Sequence, residues 1–293
     1  MQSTITDRFS EKQARISRHQ TEACSRYPEL WSKLIAEWNS PGFDDKVWLT
    51  YSANYLFRTN NIQWAIDPLA LNWRIKEAPK VNAARDLSNL SFVLLTHRHK
   101  DHLDLDLLSA LRHLSIIWIV PEFLLPLVMK EAGLPRDNII TSVPLKPIEL
   151  NGISIIPFHG LHWEITSNGA ERGVPSVGYL IEYNGKRWLF PGDTRTYDVF
   201  QLPDFGLIDH LFAHLWLGRG CALLEKPPLM DAFCQFCLDL KPRRIALAHL
   251  NEFGRDADDL WDESHAQKIR QKFQAISSEV SVKTARMGES ILL

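Results

Sequence analysis

"LLTHRHKDHLD", residues Leu94–Asp104, crowds His97, His99, Asp101 and His102 into the six positions that follow an apolar run. If "SFVLLT" (91–96) is a buried strand, residues 97–102 form the turn into a helix that starts near Asp104. Side chains 97 and 99 then point the same way, and Asp101 and His102 follow at the next bend. Neutral imidazoles and a carboxylate aimed into one cavity are the ligands of zinc or a similar borderline metal. The plain alternative is a solvated histidine-rich turn or a helix cap, but neither has a use for three imidazoles.

Outward from this stretch, the pattern is layered. "VWLTYSANYLFRTNNIQWAIDPL" (47–69) reads as short β-rich runs, with Asn60-Asn61 as a hairpin turn between "YLFRT" and "QWAID". Further strands are expected at "SIIWIV", "ISIIPF", "SVGYLIEY", "RWLFPG", "HLFAHL" and "RIALAHL", and Asn184-Gly185 marks a second tight hairpin. Helical spacing appears near 104–113, 122–132, 229–239 and 257–275. Strands interleaved with helices along the whole length indicate an α/β domain. Residues 1–45 read as an N-terminal helical extension and 46–293 as the main domain. In the extension, Tyr27, Leu30, Trp31, Leu34, Ile35 and Trp38 recur at helical spacing, with Pro28 suited to a first turn. That helix packs on the body or, on the other reading, presents its tryptophans to a membrane surface or acts as a lid; packing is the favoured reading.

Composition narrows the partners. The 293 residues carry 33 Lys plus Arg against 35 Asp plus Glu, a net charge of −2, so nucleic acid is not an expected partner. The opening residues lack the apolar core of a signal peptide, and no apolar run is long enough to span a bilayer. A cytoplasmic protein is the expectation. Four scattered cysteines do not make a disulfide framework, and "CQFC" (234–237) sits in a helical pattern without the second pair of a zinc knuckle.

"THRHKDHLD" resembles the T-H-x-H-x-D-H signature of the metallo-β-lactamase-fold superfamily, and further matches follow in order over residues 46–255. "WAIDP" ends an early strand in Asp67, "FHGLHW" supplies a histidine, "LFPGDT" carries Asp193, and "IALAHLN" ends a late strand in His249. The resemblance implies a four-layer αβ/βα sandwich with metals at one edge, between two sheets. It also implies two zinc ions per chain, with manganese or iron as alternatives. His97, His99 and a histidine of "FHGLHW" would hold one ion, Asp101, His102 and His249 the other, and Asp193 both. Spacing leaves His159 and His162 open; the His-Trp pair of the branch that includes N-acyl phosphatidylethanolamine phospholipase D and ascorbate-6-phosphate lactonase selects His162.

The implied activity is hydrolysis of a phosphodiester, lactone or other ester, on a small-molecule or lipid-like substrate. Asp101 would orient the attacking water and accept its proton. His214 is a candidate catalytic residue at the mouth of the site, with a buried, hydrogen-bonded histidine as the other reading. Asp67 either hydrogen-bonds a ligand histidine or caps the "DPL" turn. Arg195 and Arg219 could grip an anionic group. Arg195 follows "GDT" where phospholipase-like members are expected to have glycine, so the pocket is expected to differ. Two rivals remain. One is a mononuclear iron oxidoreductase on the same fold; a flavodiiron centre would replace His99 by glutamate. The other is a non-catalytic binding relative. The acidic segment 255–265 reads as a solvated helix start without chemistry.

Overall fold

Asn60 and Asn61 both adopt left-handed backbone, at φ 49° and 61°, which asparagine tolerates and a two-residue hairpin turn requires. They join strand β2 (Tyr55–Thr59) to β3 (Ile62–Ile66), after helix α1 (Ile5–Asn39) and β1 (Lys46–Leu49). The computed structural model describes residues 5–42, 44–75, 80–165, 169–277 and 279–293. Next come α2 (Ala83–Asp86), β4 (Phe92–Leu94), α3 (Leu105–Leu111), β5 (Ile117–Pro121), α4 (Leu125–Lys130), β6 (Ile139–Ser142), β7 (Ile148–Leu150) and β8 (Ile153–His159). A hairpin of β9 (Trp163–Ile165) and β10 (Glu171–Gly173) precedes β11 (Val177–Tyr183), β12 (Lys186–Phe190) and β13 (Ile208–His214). The chain closes with α5 (Met230–Asp239), β14 (Pro242–Ala248), α6 (Glu263–Ile276), β15 (Ser281–Thr284) and β16 (Ser290–Leu292).

Two seven-stranded sheets result, ordered β16-β1-β2-β3-β4-β5-β6 and β15-β14-β13-β12-β11-β8-β7. Alternation along each strand sends successive side chains to opposite faces. Tyr55, Phe57, Trp64 and Phe92 therefore meet Tyr179, Trp188, Phe190 and Phe212 between the sheets. Leu56, Ala65 and Val93 point the other way, into a core shared with α1 and α3. Leu211, Ala213, Ile245 and Leu247 do the same beneath α5 and α6. The layers are helix, sheet, sheet, helix, the expected αβ/βα sandwich.

Several local expectations need correction. Helix α1 is one run of 35 residues that passes through Pro28, so that proline is internal and not a first-turn residue. It withholds one hydrogen bond from the Cys24 carbonyl. Burial of Tyr27, Trp31, Leu34 and Trp38 against the first sheet holds the helix across the gap. Trp38 Nε1 also donates to Phe57 O at 2.8 Å, so these rings serve packing and not a surface. The stretch 122–132 is a 3-10 turn, Glu122–Leu124, before α4. Helix α6 starts at Glu263 and not near 257, because Asp262 caps it while Ala257, Leu260 and Trp261 are buried in the preceding loop. No helix among the described residues is long and apolar enough to cross a membrane.

The Asp262 carboxylate accepts hydrogen bonds from Ser264 N at 3.0 Å and His265 Nδ1 at 2.7 Å. Burial pushes this carboxyl up, but those bonds outweigh it and hold it well below the usual carboxylate range. Asp262→Ala should cost about 1–2 kcal/mol of stability, read from the urea midpoint. A depressed folded-state pKa gives stability that is complete above the unfolded aspartate value of about 3.9 and lost as pH falls through the folded value. Wild type and variant should therefore converge in strong acid.

Candidate metal centre

Strands β3 and β4 run parallel in one sheet, and β12, β13 and β14 run parallel in the other. β8 is antiparallel to β11, which is antiparallel to β12, so β8 shares the direction of β12. The candidate residues leave the carboxyl ends of these strands: Asp67 after β3, His97 to His102 after β4, His162 after β8, Asp193 after β12, His214 ending β13 and His249 after β14. One rim of the sandwich thus collects them. His97, His99, His162 and Asp193 form one group of potential ligands, and Asp101, His102, Asp193 and His249 form a second, with Asp193 common to both. His159 is exposed and belongs to neither, whereas His162 is fully buried.

Hydrogen bonds on the far side of each ring decide which nitrogen faces inward. His102 Nδ1 lies 2.8 Å from Asp67 Oδ2; a carboxylate only accepts, so Nδ1 carries a proton and Nε2 is the nitrogen that faces the cluster. Thr96 Oγ1 donates to the same Asp67 oxygen and therefore accepts from His97 Nδ1 at 2.9 Å. Asp67 Oδ1 takes Thr96 N at 2.8 Å. Both readings of Asp67 describe it, since it ends a strand and orients ligand histidines. His214 donates Nδ1 to Asp193 Oδ1 at 2.8 Å while Nε2 accepts from Tyr55 OH at 3.0 Å. With both nitrogens engaged inside the protein, His214 matches the buried, hydrogen-bonded reading and acts as a support for Asp193.

Residues absent from the sequence reading also shape the rim. Asn54, fully buried, donates from Nδ2 to the carbonyls of both Asp67 and Asp101, each at 2.8 Å. Asp67 (φ 46°) and His249 (φ 65°) hold left-handed backbone, a strain that non-glycine residues carry where surroundings over-determine them. Gly192, at φ 72°, makes the turn that presents Asp193. Glu252 Oε2 stands 3.6 Å from His249 Nε2 and accepts from Arg255 at 2.7 Å, so the segment set aside as solvated reaches the site. Of the residues absent from the sequence reading, Thr96 inside the histidine motif and Gly192 inside "LFPGDT" lie within motifs, whereas Asn54 and Glu252 lie in none.

The donor set fits metal ions. His97 Nε2 and His162 Nε2 each lie 3.2 Å from His99 Nδ1, a convergence of ring nitrogens that suits a shared cation. Nitrogens about 2.0–2.1 Å from a tetrahedrally held ion lie roughly 3.3 Å apart, in agreement. His102 Nε2 is buried without a hydrogen bond, 3.3 Å from Asp193 Oδ1 and 3.7 Å from Asp101 Oδ2. Burial lowers His97 well below the ordinary imidazole range, lowers His99, and takes His162 down to about 3, keeping those rings neutral as ligands must be. Burial also works against a proton on His102 and His249, but Asp193 outweighs it, raising His102 strongly and His249 to about 9. By contrast, Cys234 and Cys237 are buried free thiols in α5 that burial pushes up, Cys234 to about 12, so "CQFC" is inert packing.

Comparison with known proteins agrees with this geometry. The β-lactamase superfamily domain profile matches residues 65–249, more than half of the chain. A UPF0173 metal-dependent hydrolase of Cupriavidus metallidurans is 28% identical over 191 residues, covering 58% of this chain. The chain spans 64% of the length of that relative. Igni18, a metallo hydrolase from Ignicoccus hospitalis, superposes with a TM-score of 0.61 at 19% identity, covering 85% of this chain and 98% of its own. The metallo-β-lactamase fold protein YhfI from Bacillus subtilis gives 0.58 at 15% identity, covering 85% and 99%. At such identities the two structures speak for the fold.

Replacing each histidine of "FHGLHW" separates their roles. His162→Ala should lose bound metal by elemental analysis, whereas His159→Ala should remain fully loaded. Metal binding should also release protons, from His102 and His249, seen as a buffer-dependent heat of zinc binding in calorimetry.

Proposed function

The chain belongs to the β-lactamase superfamily, and from that premise we propose that it is a hydrolase that uses two divalent cations, zinc in the first instance, to cleave an ester-type bond with water. The observation that carries this reading is the pair of ligand groups sharing Asp193 at one rim. His97, His99, His162 and Asp193 would hold one cation, and Asp101, His102, His249 and Asp193 the other. Cations there would supply Lewis acidity, bringing the pKa of water towards neutrality and stabilising negative charge that develops on the substrate.

The chain's own groups do the rest. Asp101 borders the opening of the site, with Oδ2 3.4 Å from His249 Nε2 and its carbonyl tied to Asn54. From there it orients the attacking water and takes its proton. Asp67 fixes the ring of His102 directly and that of His97 through Thr96, and His214, backed by Tyr55, fixes Asp193. A purely binding scaffold would have no use for imidazoles oriented in this way.

Phosphodiesters, lactones and other esters are the substrate classes we favour, by the likeness of "LHW" and "FPGDT" to the phospholipase and lactonase branch. We also read the protein as cytoplasmic, with all four cysteines as free thiols. Elemental analysis separates the readings: two zinc ions per chain support hydrolysis, and iron with visible absorbance supports the oxidoreductase rival. Asp101→Asn should keep the fold yet lower kcat by about 10² to 10⁴ on whichever ester turns over in a screen of phosphodiesters, lactones, thioesters and β-lactams. Unaltered turnover with the metals in place would show that another group handles the proton.

A further inference from the structure

Above His99 and Asp101 the chain opens into a cavity of about 380 Å³ whose remaining wall is largely cationic. Lys100 comes from the turn after β4, Arg172 from β10, Arg195 from the loop after Asp193, Arg219 from the loop after β13 and Arg255 from the loop after β14. Five separate segments bring five positive side chains to one opening in a protein whose net charge is −2. Composition does not account for that concentration.

Two of the five are spent within the protein. Arg219 donates twice to Glu164 Oε1, at 2.6 and 2.9 Å, and Arg255 bonds Glu252 at 2.7 Å and Asp259 at 3.0 Å. The other three are not. Among the described residues Lys100 and Arg172 form no ion pair, and Arg195 makes no side-chain hydrogen bond. The nearest carboxylate oxygen to Arg195 is Glu164 Oε1, 3.8 Å away and already taken by Arg219.

Arg195 is the informative member. Its side chain is only 9% exposed and its guanidinium lies over the Trp216 ring, 4.6 Å from the centroid. That stacking fixes the plane of the fork and leaves its edge donors open. A largely buried guanidinium whose donors are unspent inside the protein is poised to receive an acceptor from the opening. The same residue lines the inner recess beside Asp193, His214 and His249, so its donors sit between the opening and the ligand cluster.

We propose that Arg195, with Lys100 and Arg172, forms a subsite for a dianionic oxyanion of the phosphate-ester type, carried by the substrate next to the bond that is cleaved. A phosphate group presents three strong acceptor oxygens and nearly two charges to three cations that spend no side-chain hydrogen bond among the described residues, whereas a carboxylate presents two oxygens and one charge. Calling the ligand a substrate rests on the hydrolase reading; the anion subsite itself does not.

The test is calorimetric titration of the metal-loaded protein with inorganic phosphate, and separately with acetate, at constant ionic strength. Phosphate should bind at least about tenfold more tightly than acetate, and Arg195→Ala should weaken phosphate by about tenfold, the equivalent of one charge-assisted hydrogen bond. Lys100→Ala and Arg172→Ala change exposed residues that do not support the fold, and each should weaken phosphate severalfold with bound metal unchanged. If Arg195→Ala misfolds, those two variants decide. Phosphate affinity indifferent to the cations, or acetate binding equally well, overturns the proposal and leaves phosphate on the metals alone. Cation-dependent phosphate binding with no ester turned over sinks only the hydrolase reading; ester turnover with cation-independent phosphate affinity sinks only the subsite.

Discussion

The carboxylate of Asp67 is the constraint on which the rim depends. Buried at a strand end in left-handed backbone, it spends one oxygen on Thr96 N and the other on Thr96 Oγ1 and His102 Nδ1. A buried carboxylate so satisfied is rigid, and rigidity is what a set of imidazoles needs if their lone pairs are to meet. Through Thr96 the same carboxylate sets the tautomer of His97. For Asp193 the equivalent comes from His214, which ends β13 of the second sheet and is itself backed by Tyr55 of β2 in the first. This second support spans both sheets, so the cluster holds its shape only if the sandwich is closed.

That closure is the work of aromatic packing. Tyr55 illustrates the coupling: its ring meets Phe190 and Phe212 between the sheets, while its hydroxyl supports His214. One residue therefore belongs to the core and to the site at once. Asn54, its neighbour, points the other way in function, tying the backbone of Asp67 to that of Asp101. The apolar interior keeps most of the imidazoles neutral, and the shared Asp193 counters this at His102 and His249. Stability and metal binding are accordingly linked, because the cluster is a concentration of buried polar groups that a cation would satisfy.

The N-terminal helix has a supporting part in this arrangement. Its first half reaches the loops that follow β13 and β14, where Lys12 Nζ donates to the carbonyls of Ala222 at 3.2 Å and Leu260 at 2.8 Å. Those loops also carry Arg219 and Arg255 to the opening. Its second half buries Tyr27, Trp31 and Trp38 against the first sheet. What reads in isolation as an appended amphipathic helix is bonded to the walls of the site.

The sequence by itself showed an α/β domain with metal-ligating residue types at strand ends, and its family resemblance supplied the four layers. Dense histidine after an apolar strand, aspartates and histidines at later strand ends, and asparagine turns are local signals, because strand alternation and turn conformation depend on near neighbours. It also determined that a histidine of "FHGLHW" would join the cluster, but spacing could not separate His159 from His162. The family resemblance selected His162, and the tertiary structure places it in the cluster, a choice that depends on where the chain bends after β8. Only the tertiary structure decided the parts of Asn54, of Tyr55 behind His214, and of the cationic opening. Their partners lie tens to hundreds of residues away, and hydrogen bonds and charge proximity follow distance in space, which no local pattern encodes.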